Sequence, residues 1–153
     1  DLIFPGNSNA FVVGETGSHW VNNSGANYVA YCWAEIENFS KFGSYTGNNL
    51  ADGTYIHCGF KPSFILYKRT DQSDPWCMVD TSRSPSNPHN IDLFANTSAG
   101  ESASDAQRLD ILSNGFKLRT DSVARNSGGG TYIFAAWSEA PSMNLYGAQG
   151  TAR

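Results

Sequence analysis

Two groups of carboxylates, Glu35 with Glu37 and Asp71 with Asp74 and Asp80, have the residue types that flank a glycosidic bond as acid and base. That chemistry needs a fixed separation between two carboxyl groups, and no motif around either group imposes one. Solvated or turn-capping carboxylates are the expectation. His19, His57 and His89 are scattered among turns and strand ends without convergent partners, so each is expected to be a solvated or singly bonded imidazole. Cys32, Cys58 and Cys77 cannot all pair within one chain, and none sits in a CxxC or zinc-type spacing; they read as buried thiols. The sequence has no HExxH, no GxSxG and no GxGxxG opening a helix. No lysine follows Ser127-Gly128-Gly129-Gly130 as a phosphate loop would require, so those glycines are expected at the tip of a hairpin. No catalytic residue, metal or cofactor is expected, and the chain reads as a non-enzymatic module.

Sugar stacking is the chemistry that the side chains serve best. A flat ring covers the apolar face of a pyranose while neighbouring Asn, Asp and Ser satisfy its hydroxyls. Trp20, Trp33, Trp76 and Trp137, with seven tyrosines, are the available rings. Trp33 and Trp137 lie inside strand-like runs and are expected in the core. Trp20, beside His19 in a polar turn, is the ring expected at the surface. A sandwich gathers its loops at two ends. Residues 17–23, 48–53, 70–75 and 82–90 are expected to meet at one of them, which makes His19, Trp20, Asn22, Asp52, Asp71, Asp74, Asn87 and His89 the candidate ligand-binding residues.

The elements that must position these groups follow from composition and pattern. The chain has 153 residues, 40% apolar, 13% aromatic and 16% charged, with a formal net charge of −4. Such a chain can bury a core of its own. With no run of Lys or Arg to neutralise successive phosphates, nucleic acid is disfavoured. No apolar stretch approaches the roughly 18 residues of a membrane span, so membrane insertion is not expected. Its two methionines are Met78 and Met143, from which a processed piece or a fragment is expected.

Strand signals recur at short intervals, bounded by Gly, Pro, Asn and Asp, over 10–13, 28–35, 40–45, 54–58, 63–68, 76–80, 91–95, 116–119 and 131–138. Only 104–112 suggests a helical turn. Without helical patterns between strands, the expected fold is an all-β, antiparallel β-sandwich of jelly-roll-like type. The sequence also repeats itself. Ser8-Asn9-Ala10-Phe11-Val12-Val13 returns as Ser113-Asn114-Gly115-Phe116-Lys117-Leu118, about 105 residues later. Tyr28-Val29-Ala30-Tyr31-Cys32-Trp33-Ala34-Glu35 likewise returns as Tyr132-Ile133-Phe134-Ala135-Ala136-Trp137-Ser138-Glu139. A partial internal duplication follows, with 1–36 as the closing strands of an incomplete first repeat, 37–141 as a complete repeat and 142–153 as a tail, the whole forming one compact unit. Both copies of the Tyr…Trp-x-Glu strand are apolar on both faces, so each must be covered twice, and a second subunit is one way to do so.

The runs Ser40-Lys41-Phe42-Gly43-Ser44-Tyr45-Thr46-Gly47-Asn48 and Gly59-Phe60-Lys61-Pro62-Ser63-Phe64-Ile65-Leu66-Tyr67-Lys68-Arg69-Thr70-Asp71 carry a further signal. With Trp76, Asp80, Arg83, Leu112-Ser113-Asn114-Gly115-Phe116-Lys117-Leu118-Arg119 and Gly130-Thr131-Tyr132-Ile133, they resemble a little-characterised repeat domain of tailed-phage proteins, found mainly in aquatic phages near the C-terminus of tail-fibre-like or receptor-binding chains. The resemblance implies a module of a virion appendage, tail fibre or spike, structural and host-binding, assembled in the host cytoplasm. It also implies contacts with other virion subunits and, by analogy with tail fibres, a homotrimer; the ligand expected from the aromatic, Asn-, Ser- and Asp-rich loops is a host-surface glycan. The alternative is a purely structural virion protein, a capsid decoration or tail-assembly component, with no host ligand.

Overall fold

The computed structural model describes residues 3–5, 11–13, 23–139, 142–143 and 149–150. The chain divides into two units, Asp1–Trp33 and Ala34–Arg153. In the first, β1 (Ile3–Pro5) and β2 (Phe11–Val13) form an antiparallel hairpin, with Ile3 opposite Val13 and Pro5 opposite Phe11.

The second unit contains β3 (Ser40–Thr46), β4 (Tyr55–His57), β5 (Phe64–Arg69), β6 (Cys77–Asp80), β7 (Ile91–Phe94) and β8 (Ser102–Ala103). A 3-10 turn at Asp105–Gln107 leads to β9 (Leu109–Leu112), β10 (Gly115–Leu118), the single-turn helix α1 (Val123–Asn126) and β11 (Thr131–Trp137). A short pair, β12 (Ser142–Met143) with β13 (Gln149–Gly150), follows. Nine strands make two antiparallel sheets, in the orders β4-β10-β9 and β3-β11-β5-β6-β7-β8. The all-β antiparallel fold expected from the strand spacing is therefore the fold observed.

Alternation along the strands decides which face is buried. Tyr132, Phe134 and Ala136 of β11, Ile65 and Tyr67 of β5, and Cys77 and Val79 of β6 point inward from the larger sheet. They meet Ile56, Leu109, Ile111, Phe116 and Leu118 from the smaller one, where Phe116 stands edge-on to Phe134 with centroids 5.6 Å apart. Each of the buried Ile, Leu, Val and Phe side chains contributes about 1.5–3 kcal/mol of burial. Within each sheet a glycine makes room for its neighbouring strand. A Cβ on Gly43 would press on the Phe134 ring at 3.0 Å, and one on Gly115 would collide with the Ile56 carbonyl oxygen.

The core also holds charge. Arg125 and Asp92 are buried together, Nη1 to Oδ2 2.5 Å, and the Tyr67 hydroxyl donates to the same oxygen at 3.1 Å. Burial pushes the Asp92 carboxyl above its ordinary value, and the Arg125 guanidinium opposes that shift.

The outer face of the larger sheet is apolar as well. Phe42, Ala135, Leu66, Met78 and Leu93 stand in register across five strands, all partly exposed. Trp137 packs between Phe42 and Phe64 at 5.6 and 5.5 Å, on this face and not in the core as expected.

Several sequence expectations need correction. Residues 28–35 form no strand and are exposed throughout, Trp33 included, although their repeat counterpart is β11. The difference is lateral: β11 is bonded on both edges, by β3 and β5, whereas among the described residues no strand pairs with 28–35. Cys32, in that segment, is exposed, while Cys58 and Cys77 are buried as expected, their thiols pushed up to about 11 by burial. The glycines at 128–130 do not cap a hairpin, because β10 and β11 belong to different sheets. With α1 they carry the chain across, Gly129 taking φ +77°. Of the expected turn over 104–112, only Asp105–Gln107 is helical, with the Ser104 hydroxyl accepting from the Ala106 N–H, and Leu109–Leu112 is a strand.

Candidate functional site

The outer face of the smaller sheet brings together the most varied set of exposed polar groups. Thr54-Tyr55-Ile56-His57-Cys58 alternates, so burying Ile56 turns Tyr55 and His57 outward on β4. In register, Lys117 of β10 lies opposite both Tyr55 and Asp110, while Gly115 lies opposite His57 and keeps that row low. The Tyr55 ring, 42% exposed, is held by its hydroxyl, which is 3.2 Å from His57 Nδ1 and donates to the Asn114 carbonyl at 3.4 Å.

Asp52 reaches this face from the loop after β3. Its Oδ1 takes Lys117 Nζ at 2.7 Å and Arg119 Nη1 at 3.1 Å, and Arg119 Nε sits 3.3 Å from Asp110. The Lys117 bond holds the Asp52 carboxyl below its ordinary value. The loop itself is rigidly supplied. Buried Asn126 donates to the Asn48 side chain and to the carbonyls of Leu50 and Thr120, and accepts from the Asn48 N–H. Gly53 lets the loop pass Leu118, against which a Cβ would stand at 2.7 Å. The result is a flat ring bordered by two cations, two carboxylates, an imidazole and a carbonyl, all close to charge balance. Such a surface suits hydroxylated, uncharged ligands better than phosphates.

The expected site residues are dispersed. His19, Trp20 and Asn22, and most of the 17–23 loop, lie outside the described residues. Asp52 is on the Tyr55 face. Asp71 is held by Arg69 in a two-pronged pair at 2.7 and 3.0 Å, which lowers its pKa, and the Asp74 carbonyl accepts Lys68 Nζ. Loops 48–53 and 70–75 leave the same end of the sheet, since Thr46 and Arg69 both pair at the start of β11. Loop 82–90 instead runs along the free side of β9. There the Asn87 amide clamps the Ile111 N–H and C=O at 2.9 and 2.8 Å, and His89 and Leu109 exchange backbone bonds. His89 is only 2% exposed, so it is neither solvated nor offered to a ligand, and its Nδ1 has no partner among the described residues.

Tyr55, His57, Lys117 and Arg119 did not stand out in the sequence, although the alternation over 54–58 contains the signal for the first two. A second concavity, about 500 Å³, is lined by Glu35, Glu37, Asn38, Ser40, Lys41, Cys58 and Gly59. Glu35 is paired to Lys41 there, which lowers its pKa, the opposite of what a general acid requires. Among the described residues no cluster of His, Cys, Asp or Glu could hold a metal, and no helix is long and apolar enough to cross a membrane.

Fold and surface together define an all-β module of two face-packed sheets with a polar, ring-centred outer face. The chain belongs to a family described as a domain of unknown function (DUF7483), whose model matches residues 4–141 and so spans both the first hairpin and the two large sheets. No curated protein and no solved structure matches it.

Proposed function

We propose that this chain is a non-catalytic module of a phage virion appendage, a tail fibre or spike, that binds a host-surface glycan through the Tyr55 face of its smaller sheet. The observation carrying the ligand is the exposed Tyr55 ring with Asp52, His57, Lys117 and Arg119 around it, a stacking platform edged by donors and acceptors. The phage setting rests on the tail-protein resemblance of the 40–48 and 59–71 runs. One ring and a few hydrogen bonds bind weakly, so adhesion comes from several copies acting together on a trimeric appendage.

The test is retention on immobilised host-envelope polysaccharide, compared for the wild type, Tyr55→Phe and Tyr55→Ala. Tyr55→Phe keeps the ring and most of the binding. Tyr55→Ala loses about tenfold, roughly 1.4 kcal/mol, and Tyr55→Phe, which keeps the partly covered ring, serves as the control for any fall in the urea midpoint. A second reading, a purely structural virion protein, is favoured by the apolar outer face of the larger sheet. It replaces the first if no envelope polysaccharide is retained and Tyr55→Ala leaves particle adsorption intact.

A further inference from the structure

β3 is the first strand of its sheet, and one of its edges is open. Ser138 N–H donates to Phe39 and Gly47 N–H to Gly130, and in an antiparallel ladder the bonding residues alternate. Lys41, Gly43 and Tyr45 therefore bond to β11, while Ser40, Phe42, Ser44 and Thr46 turn their backbone groups the other way. On that side Ser40 exchanges bonds with Ile36, the Phe42 N–H helps hold the Glu35 carboxyl below its ordinary value, and the Thr54 hydroxyl donates to the Thr46 carbonyl. The Phe42 carbonyl, both backbone groups of Ser44 and the Thr46 N–H have no partner among the described residues. Exposed Gly43 and Ser44 border them with no proline, and the one charge on the inner row of β3, Lys41, is neutralised by Glu35 at the far end of the strand.

Residues 28–35 carry the sequence that β3 already accepts on its closed edge. Their counterpart, β11, runs antiparallel to β3 with Tyr132 opposite Tyr45 and Trp137 opposite Ser40. Yet Val29 is 79% and Tyr31 77% exposed, in a segment outside any strand. Within one chain the ladder stops at the Ile36–Ser40 bridge, where the Ser40 hydroxyl donates to the Ala34 carbonyl at 2.9 Å and Glu35 is held by Lys41. These side-chain bonds occupy the positions a continued intrachain ladder would need.

We infer that residues 28–34 add as a strand to the open β3 edge of a second copy of this chain. Strand addition satisfies the groups at Phe42, Ser44 and Thr46 and pairs a segment that is apolar on both faces. Setting Tyr31 opposite Phe42 or Ser44 places Val29, Tyr31 and Trp33 beside the apolar outer face of the larger sheet. Each chain supplies one segment and one edge, so two copies close about a two-fold axis and three about a three-fold. This inference is independent of the glycan reading.

The experiment is light scattering on the whole chain at rising concentration, with hydrogen exchange followed at the amides of 29–33, Ser44 and Thr46. Wild-type protein is expected to form an oligomer in which those amides gain protection. Ser44→Pro removes an N–H that faces away from β11, and Tyr31→Asp places a charge in the added strand. Each is expected to raise the concentration needed for assembly at least tenfold. Tyr31→Asp, outside every strand, keeps the test valid if Ser44→Pro fails to fold. A wild-type monomer at every concentration overturns the inference, even one with those amides protected, as does an oligomer that Tyr31→Asp leaves unchanged.

Discussion

Arg125 is the side chain on which the interior depends most. It reaches Asp92 and the Tyr67 hydroxyl, lies over the Tyr67 ring at 5.5 Å, and its own carbonyl accepts from Tyr45 at 3.0 Å. Arg125→Met leaves Asp92 buried without its cation, and a loss of about 3–5 kcal/mol is expected in urea unfolding. Replacing the partner too, in an Arg125→Met/Asp92→Leu double variant, restores much of that loss, because no charge then remains to be solvated. His89 gives a pH dependence. Burial lowers its pKa from the ordinary 6.5, against the pull of Asp80 and Asp110 and with Lys61 acting in the same direction as burial. The unfolded chain takes up the proton first, so stability is full above about pH 6.5 and falls as pH drops through the lower folded value. Urea midpoints should decline over that interval, and His89→Leu should flatten the decline; an unchanged slope would show that another group titrates there.

Among the elements, those whose signal is local were legible in the sequence. β5, β6, β7 and β11 fall within a residue or so of the apolar alternation that marks them. Leu109–Leu112 was hidden because Ser104 and Asp105 begin a helical turn just before it, and a single turn of polar residues outweighed four alternating ones. The doubly apolar Tyr28–Glu35 sequence has the residue types, spacing and repeat counterpart of a strand, with Trp33 placed as a core ring. A strand also requires neighbours at bonding distance, and nothing in a segment's own residues supplies those. The same limit kept the Tyr55 face out of view: alternation places Tyr55 and His57 on one side, but Lys117 and Asp52 join them only through pairing. Gly115 shows how closely β4 and β10 approach. Gly115→Ala drives a methyl into the Ile56 carbonyl, and a loss of about 1–3 kcal/mol is expected, with faster amide exchange along β4 but not β6.

At the scale of the whole molecule, assembly and adhesion are linked. If a single face binds weakly, an oligomer gains by presenting several faces at once. A monomeric Tyr31→Asp variant should therefore bind immobilised polysaccharide about 100-fold less firmly than the wild type, although its Tyr55 face is untouched. Equal retention of the two would show that one face suffices. The position of β11 has a consequence in time. It is the last of the nine strands to be synthesised, and it alone joins β3 to β5. While the chain is still leaving the ribosome, β3 waits as an isolated ribbon and the larger sheet exists in two pieces. Native contacts of such long sequence separation make folding slow, on the order of milliseconds to seconds, and expose apolar edges meanwhile. The nascent chain must be kept from its neighbours until Trp137 is out, and only then can the sandwich close.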